Sequence, residues 1–236
     1  MTGAKQILLA GFAALCMVLP ACNPCYTGEY FTEKAPLVIS PEPLNTVSYT
    51  AEYTQDGSPP FTCEVKLASD NRIRRDYVWK DEKGAEKKVS IVINGTEAIK
   101  VEDGKSSIPG ISDTAMARFY SRLILDPAPL ISCVWKQGNV WDLVPADIPG
   151  VARIYVCVDT DSLHWTDLAV RMGNIEDVSD EVSSVFSEYK MESGVNYPSR
   201  IVSSTEGGAP VTCVIRDVKI NPELPDELFR LSEPNG

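Results

Sequence analysis

His164 is the only histidine in the chain, and Asp159, Asp161 and Asp167 stand around it. An imidazole with carboxylate neighbours is the minimum equipment for acid–base work. The spacing matches no metal loop and no nucleophile motif, and a strand flanked by turn acids accounts for it better. Asn174, Glu176, Asp177, Asp180 and Glu181 form an acidic run without the glycine and regular spacing of a calcium loop, so it reads as a solvated loop. A single histidine removes His-cluster metal sites. There is no Gly-x-Ser-x-Gly elbow, phosphate-binding glycine loop or dinucleotide fingerprint. The sequence predicts no enzyme, no metal and no cofactor. A hydrolase centred on His164 ranks last among its readings.

The cysteines carry a different chemistry. An apolar run from Ile7 to Leu19 follows Lys5, in the length range of a signal-peptide core and short of a membrane span. Leu19 is a poor fit to an ordinary cleavage site after Ala21. Leu19-Pro20-Ala21-Cys22 instead resembles a bacterial lipobox, where cleavage precedes a cysteine that becomes acylated. Several acyl chains on Cys22 would anchor the protein to a membrane, each buried CH₂ contributing about 0.8 kcal/mol. Cys22-Asn23-Pro24-Cys25 also spells C-x-x-C, but no strand–helix–strand context supports a redox pair, and acylation would consume the Cys22 sulfur. Asn23 is not the aspartate that retains some lipoproteins at the inner membrane, so the outer membrane, facing the periplasm, is the expected location. Of the remaining Cys25, Cys63, Cys133, Cys157 and Cys213, one must stay unpaired in a monomer, and Cys25 is the expected one.

The chain has 236 residues, 44% hydrophobic and 23% charged, as a soluble globular protein would. Its formal net charge of −11 repels a phosphate backbone, so no nucleic-acid partner is expected. The Lys66–Lys88 segment holds eight Lys or Arg against five Asp or Glu. It reads as the solvated face of a hairpin rather than a surface for an anionic partner.

Pro24, Pro36, Pro41 and Pro43 with no apolar period make residues 22–45 a tether. Phe61, Cys63, Val65 and Leu67 then alternate with polar neighbours, and Tyr77 with Trp79 and Val89, Ile91, Ile93 continue the pattern of period two. Asn94-Gly95 marks a hairpin and Asp103-Gly104 closes the meander. One helix follows, with Ser112 as its expected cap. Met116, Phe119, Tyr120, Leu123 and Ile124 lie on its apolar face, Arg118, Ser121 and Arg122 on its polar face, and Asp126-Pro127 is its stop. Further strands are expected at Val134–Trp135, Val140–Val144, Ala152–Asp159, His164–Met172, Phe186–Met191, Ser199–Ser204 and Val211–Ile220. The alternation slips at Arg216-Asp217, which predicts a bulge.

The closing segment contains Phe186-Ser187-Glu188-Tyr189, Gly194, Tyr197-Pro198, Arg200-Ile201, Gly207, Asp217–Asn221 and Pro225-Asp226-Glu227-Leu228-Phe229. It resembles the bacterial outer-membrane lipoprotein-sorting family, the LolA/LolB-like proteins, in its "G-x-x-Y-P" strand end and its "N-x-x-x-P-D-x-x-F" finish. The resemblance implies an α+β, mainly β fold: an antiparallel sheet curved into an incomplete β-barrel with a helical lid, whose apolar interior holds acyl chains. The amphipathic helix with which members begin is not evident here. The family's gating arginine has three candidates, Arg72, Arg74 and Arg75.

The expected organisation is therefore a lipoprotein-type signal peptide at 1–21, a lipidated Cys22 with its tether to 45, and one half-barrel domain at 46–236. The expected function is a lipid-anchored envelope protein that binds lipid or lipoprotein acyl chains, in lipoprotein localisation or lipid transport. Its expected cavity lining is Phe61, Val65, Leu67, Tyr77, Trp79, Ile91, Ile93, Phe119 and Leu123. The alternative is an envelope scaffold of the same fold with a filled core, working through a protein partner.

Overall fold

The computed structural model describes residues 25–126, 128, 131–146, 151–173 and 178–231. The signal segment, Cys22 and Asn174, Glu176 and Asp177 of the acidic run lie outside the described residues. Among the described residues, two α-helices, α1 (Gly28–Lys34) and α2 (Ile111–Leu125), accompany a 13-stranded antiparallel sheet. Its first half is β1 (Thr46–Gln55), β2 (Ser58–Ala68), β3 (Arg72–Lys80), β4 (Glu86–Asn94), β5 (Glu97–Glu102) and β6 (Lys105–Ser107). Its second half is β7 (Ile131–Gln137), β8 (Val140–Pro145), β9 (Val151–Val158), β10 (Trp165–Gly173), β11 (Val178–Glu192), β12 (Val195–Thr205) and β13 (Val211–Ile220).

The two halves are each a meander, and they join where β13 pairs with β1. β6 and β7 are the free edges, so the sheet is not closed. α2 follows β6 in the chain and packs against both halves. Its Ala117 joins the core built on β1–β4, while Phe119 and Leu123 join the core built on β7–β11. A helix touching both halves requires the sheet to curl around it, and burial of these two apolar faces is what holds the curl.

Local sequence explains most elements. Gly95, at φ +60, and Asn71, at φ +68, take left-handed turn conformations beside one another, and the Asn71 side chain donates to the Gly95 carbonyl. β13 carries one extra residue against β1 between Ser48 and Thr50, with Asp217 at φ +53, which is the bulge the broken alternation predicts. β11 runs to 15 residues, well beyond Phe186–Met191. Its upstream half escapes the apolar pattern because Ser184, buried, exchanges a 2.9 Å hydrogen bond with Ser203 of β12 instead of packing an apolar side chain.

Three expectations are corrected. α2 begins after Gly110, whose carbonyl accepts from Thr114, so Ser112 is inside the helix and is not its cap. Ser121 and Arg118 are not on a solvated face: Ser121 is buried against the Ala117 carbonyl, and Arg118 donates to the Gly95 carbonyl of the β4–β5 turn. Cys25 is not the unpaired cysteine, because it is disulfide-bonded to Cys133 on β7, leaving Cys63, Cys157 and Cys213 free among the described residues.

That disulfide belongs to a larger difference. The segment read as a tether is packed from Cys25 onward. Thr27 caps α1 through the Tyr30 amide, and Phe31 is fully buried with its ring 5.2 Å from Trp141 and 5.9 Å from Trp165. The Trp165 indole donates to the Ala35 carbonyl at 2.8 Å, and Leu37 and Leu44 are buried beyond it. The prolines deny this stretch a repeating pattern, but Phe31, Ala35 and Leu37 still pack into one core cluster and Leu44 into another, which needs no period.

The C-terminus is also strapped down. Asp226–Phe229 forms a 3₁₀ turn on the outer face of β3 and β4. Arg72 pairs with Asp226 at 2.5 Å and lies over the Phe229 ring, and Arg74 donates to the Leu228 carbonyl. Phe229 is fully buried. Phe229→Ala is expected to cost about 3–5 kcal/mol in urea unfolding, as for other buried aromatics. A loss below about 1 kcal/mol would show the strap to be loosely held.

Candidate functional site

The register of the sheet builds an apolar wall in transverse rows. Residues paired across an antiparallel ladder point to the same face. One row runs Phe186–Ile201–Cys213–Tyr53–Phe61–Trp79 from β11 across to β3. The next inward holds Ile215, Ala51, Cys63, Tyr77 and Val89, and the one after it Tyr49, Val65, Arg75 and Ile91. Val47, Leu67, Ile73 and Ile93 close the series. All of these look toward α2.

Between this wall and α2 lies a cavity of about 410 Å³. Tyr120, Leu123 and Ile124 of α2 form one side, and Leu37, Val38 and Leu44 of the N-terminal segment close one end. At that end the lining is buried, as at Leu44, Val47 and Val195. At the other end Tyr53, Phe61 and Val211 are half-exposed, which makes that end the mouth. Tyr53 and Phe61 stack there with ring centres 4.5 Å apart. Tyr197 and Pro198 of β12 complete the opposite side.

One cation sits in this lining. Arg72 and Arg74 point to the outer face and are paired with Asp226 and Asp76. Arg75 points inward, its guanidinium 5.8 Å from the Tyr77 ring centre, and its buried Nε has no hydrogen-bond partner. Burial works against its charge, but a guanidinium holds its proton far above neutral pH, so Arg75 stays charged. Burial pushes the Tyr49 and Tyr53 hydroxyls well above the usual phenol range, leaving both neutral. The Cys63 and Cys213 thiols are likewise pushed up to about 11 and remain protonated. The site is thus an apolar hollow with neutral hydroxyls and thiols around a single positive charge.

Solved structures share this architecture across most of the chain. A LolA superfamily protein from Nitrosomonas europaea superposes with a TM-score of 0.58 at 12% identity, covering 87% of this chain and 98% of that one. The chain has the LolA-like fold. A putative outer membrane lipoprotein-sorting protein domain from Vibrio parahaemolyticus gives a TM-score of 0.52 at 7% identity, over 78% of this chain and 88% of that one. No family profile and no curated protein sequence matches the chain.

Within the LolA-like fold, the residues expected to line the cavity separate into two groups. Phe61, Tyr77 and Leu123 face it. Val65, Leu67, Ile91 and Ile93 share the same face of the sheet but are packed in the core under Ala117 of α2, with half-buried Trp79 against them. Phe119 packs into the second core with Trp141 and Trp165. The cavity's β12–β13 side, including Ile201, Val211 and Ile215, was not anticipated, because nothing local shows that β13 returns to β1. Arg75 was one of three candidates, and a signal for it existed: it shares the parity of Ile73, Tyr77 and Trp79, whereas Arg72 and Arg74 do not.

His164 lies in a different place. Its Nε2 is 2.6 Å from the Asn196 amide, and its ring stacks on Tyr189 at 3.8 Å. Asp159 accepts from Ser162 in the preceding turn. Glu181 of the acidic run pairs with Arg171 across β10 and β11. Among the described residues no group of three His, Cys, Asp or Glu could hold a metal ion, and no helix is long and apolar enough to cross a membrane.

Proposed function

We propose that the chain is a lipid-anchored envelope protein that binds the acyl chain of a lipid or lipoprotein in the cavity between the sheet and α2. The observation that carries this reading is the cavity itself, about 410 Å³ of space with an almost wholly apolar wall, inside a LolA-like fold. Taking a methylene to occupy about the volume of one liquid water, roughly 30 Å³, the space accommodates about fourteen methylenes. Burying ten of them at about 0.8 kcal/mol each provides ~8 kcal/mol before ordering costs, on the scale of micromolar binding. Such a ligand needs shape and dryness more than precise polar contacts.

The lipobox-like Leu19–Cys22 supports anchorage through acylated Cys22, at the outer membrane and facing the periplasm, with lipoprotein localisation or lipid transport as the process served. The role is that of a binding protein and not an enzyme. The volume favours a ligand over the filled-core scaffold.

Titration calorimetry of palmitate into the full chain carrying Cys22→Ser tests the reading. One palmitate per chain is expected, with a negative heat-capacity change across a series of temperatures. No uptake at any temperature would overturn it.

A further inference from the structure

Three arginines occupy four consecutive positions of β3, and the fold treats them differently. Arg72 and Arg74 each have a carboxylate partner at 2.5–2.7 Å on the outer face. Arg75 forms no ion pair among the described residues, and its Nε–H is buried without an acceptor. Buried charges are normally paired, and a guanidinium left without an anion in an apolar hollow is a cost to the unliganded protein. Tyr49, Tyr53 and Cys63, which share its wall, keep their protons and supply no negative charge.

We infer that the ligand is a single-chain amphiphile with an anionic head, a carboxylate or a phosphate monoester, and that Arg75 binds that head. The inference rests on the acyl-chain reading above and names the class of ligand. A guanidinium presents a planar fork that matches either anion with two parallel hydrogen bonds, and in a site this dry the pairing discriminates strongly against a neutral head. Tyr49 and Tyr53 line the same cavity as Arg75, and their hydroxyls keep their protons. A cavity of about 410 Å³ suits a single acyl chain.

The test compares three sixteen-carbon probes that differ only in the head: palmitate, hexadecyl phosphate and hexadecanol. Each is titrated into the full chain with Cys22→Ser, alone and combined with Arg75→Gln or Arg75→Lys. At least one anion should bind the parent chain tenfold or more tightly than hexadecanol, and the tighter anion identifies the head group. Arg75→Gln should bring the three probes to similar affinity, while Arg75→Lys keeps part of the preference. Without ligand, Arg75→Met should match or exceed the parent chain's thermal midpoint, since it removes an unpaired buried charge. Equal binding of all three probes by the parent chain overturns the inference and leaves the acyl-chain reading intact. Uptake of none of them overturns both.

Discussion

Phe31→Ala is expected to lower the free energy of unfolding by about 3–5 kcal/mol, read from urea titration followed by tryptophan fluorescence. Phe31 is fully buried and touches both Trp141 and Trp165, so its removal leaves a hole between two rigid indoles that cannot collapse to fill it. The effect should extend beyond stability. Leu37, Val38 and Leu44, which close one end of the cavity, follow Phe31 in the same segment, which the Trp165–Ala35 hydrogen bond and the Cys25–Cys133 disulfide pin down. Loosening that segment should speed proteolysis between α1 and β1 and weaken acyl-chain binding together. A change of less than about 1 kcal/mol would mean that the leader behaves as a tether after all.

Ile201→Trp is expected to weaken palmitate binding about fiftyfold while leaving the unfolding midpoint nearly unchanged. Ile201 is half-buried on the cavity wall, between Phe186 and Cys213 in the row nearest the mouth. An indole there projects into open space and displaces roughly three methylenes of ligand, each contributing about 0.8 kcal/mol. The resulting loss, about 2.4 kcal/mol, is close to a factor of fifty. In a close-packed core the same enlargement would instead cost about 1–3 kcal/mol of stability. Affinity and stability therefore move in opposite proportions for a cavity and for a filled interior, and titration beside thermal unfolding separates the two.

Much of the fold is visible locally. Alternation marks the central strands, Asn94-Gly95 their hairpin, and the slip at Arg216-Asp217 the bulge that β13 carries against β1. The segments that resemble the lipoprotein-sorting family turn out to hold the fold's closure. Asn221 accepts from the Asn45 and Thr46 amides where β1 starts, and Asp226 and Phe229 strap the C-terminus onto β3. Such residues announce an architecture without naming a ligand, which is why they exposed the fold more readily than the site. The cavity depends on β13 returning to β1, a pairing 150 or more residues apart in sequence that no local pattern encodes. Only its β2–β3 and α2 sides, through Phe61, Tyr77 and Leu123, could be read in advance. The leader was opaque for a different reason: Phe31 and Leu37 join one core cluster and Leu44 another, so prolines between them erase the period without preventing burial. Arg75 was hidden by its own neighbours, since a charge run looks solvated until strand parity is applied residue by residue.

The proposed function turns on uptake of an acyl chain by the hollow under α2. Native mass spectrometry of the full chain carrying Cys22→Ser, purified without detergent and paired with lipid extraction, tests it most directly. A stoichiometric adduct of one single-chain lipid is expected, or its stoichiometric uptake when palmitate is added. A clean unliganded mass that persists in excess palmitate would contradict it and return the molecule to a scaffold with an unused hollow.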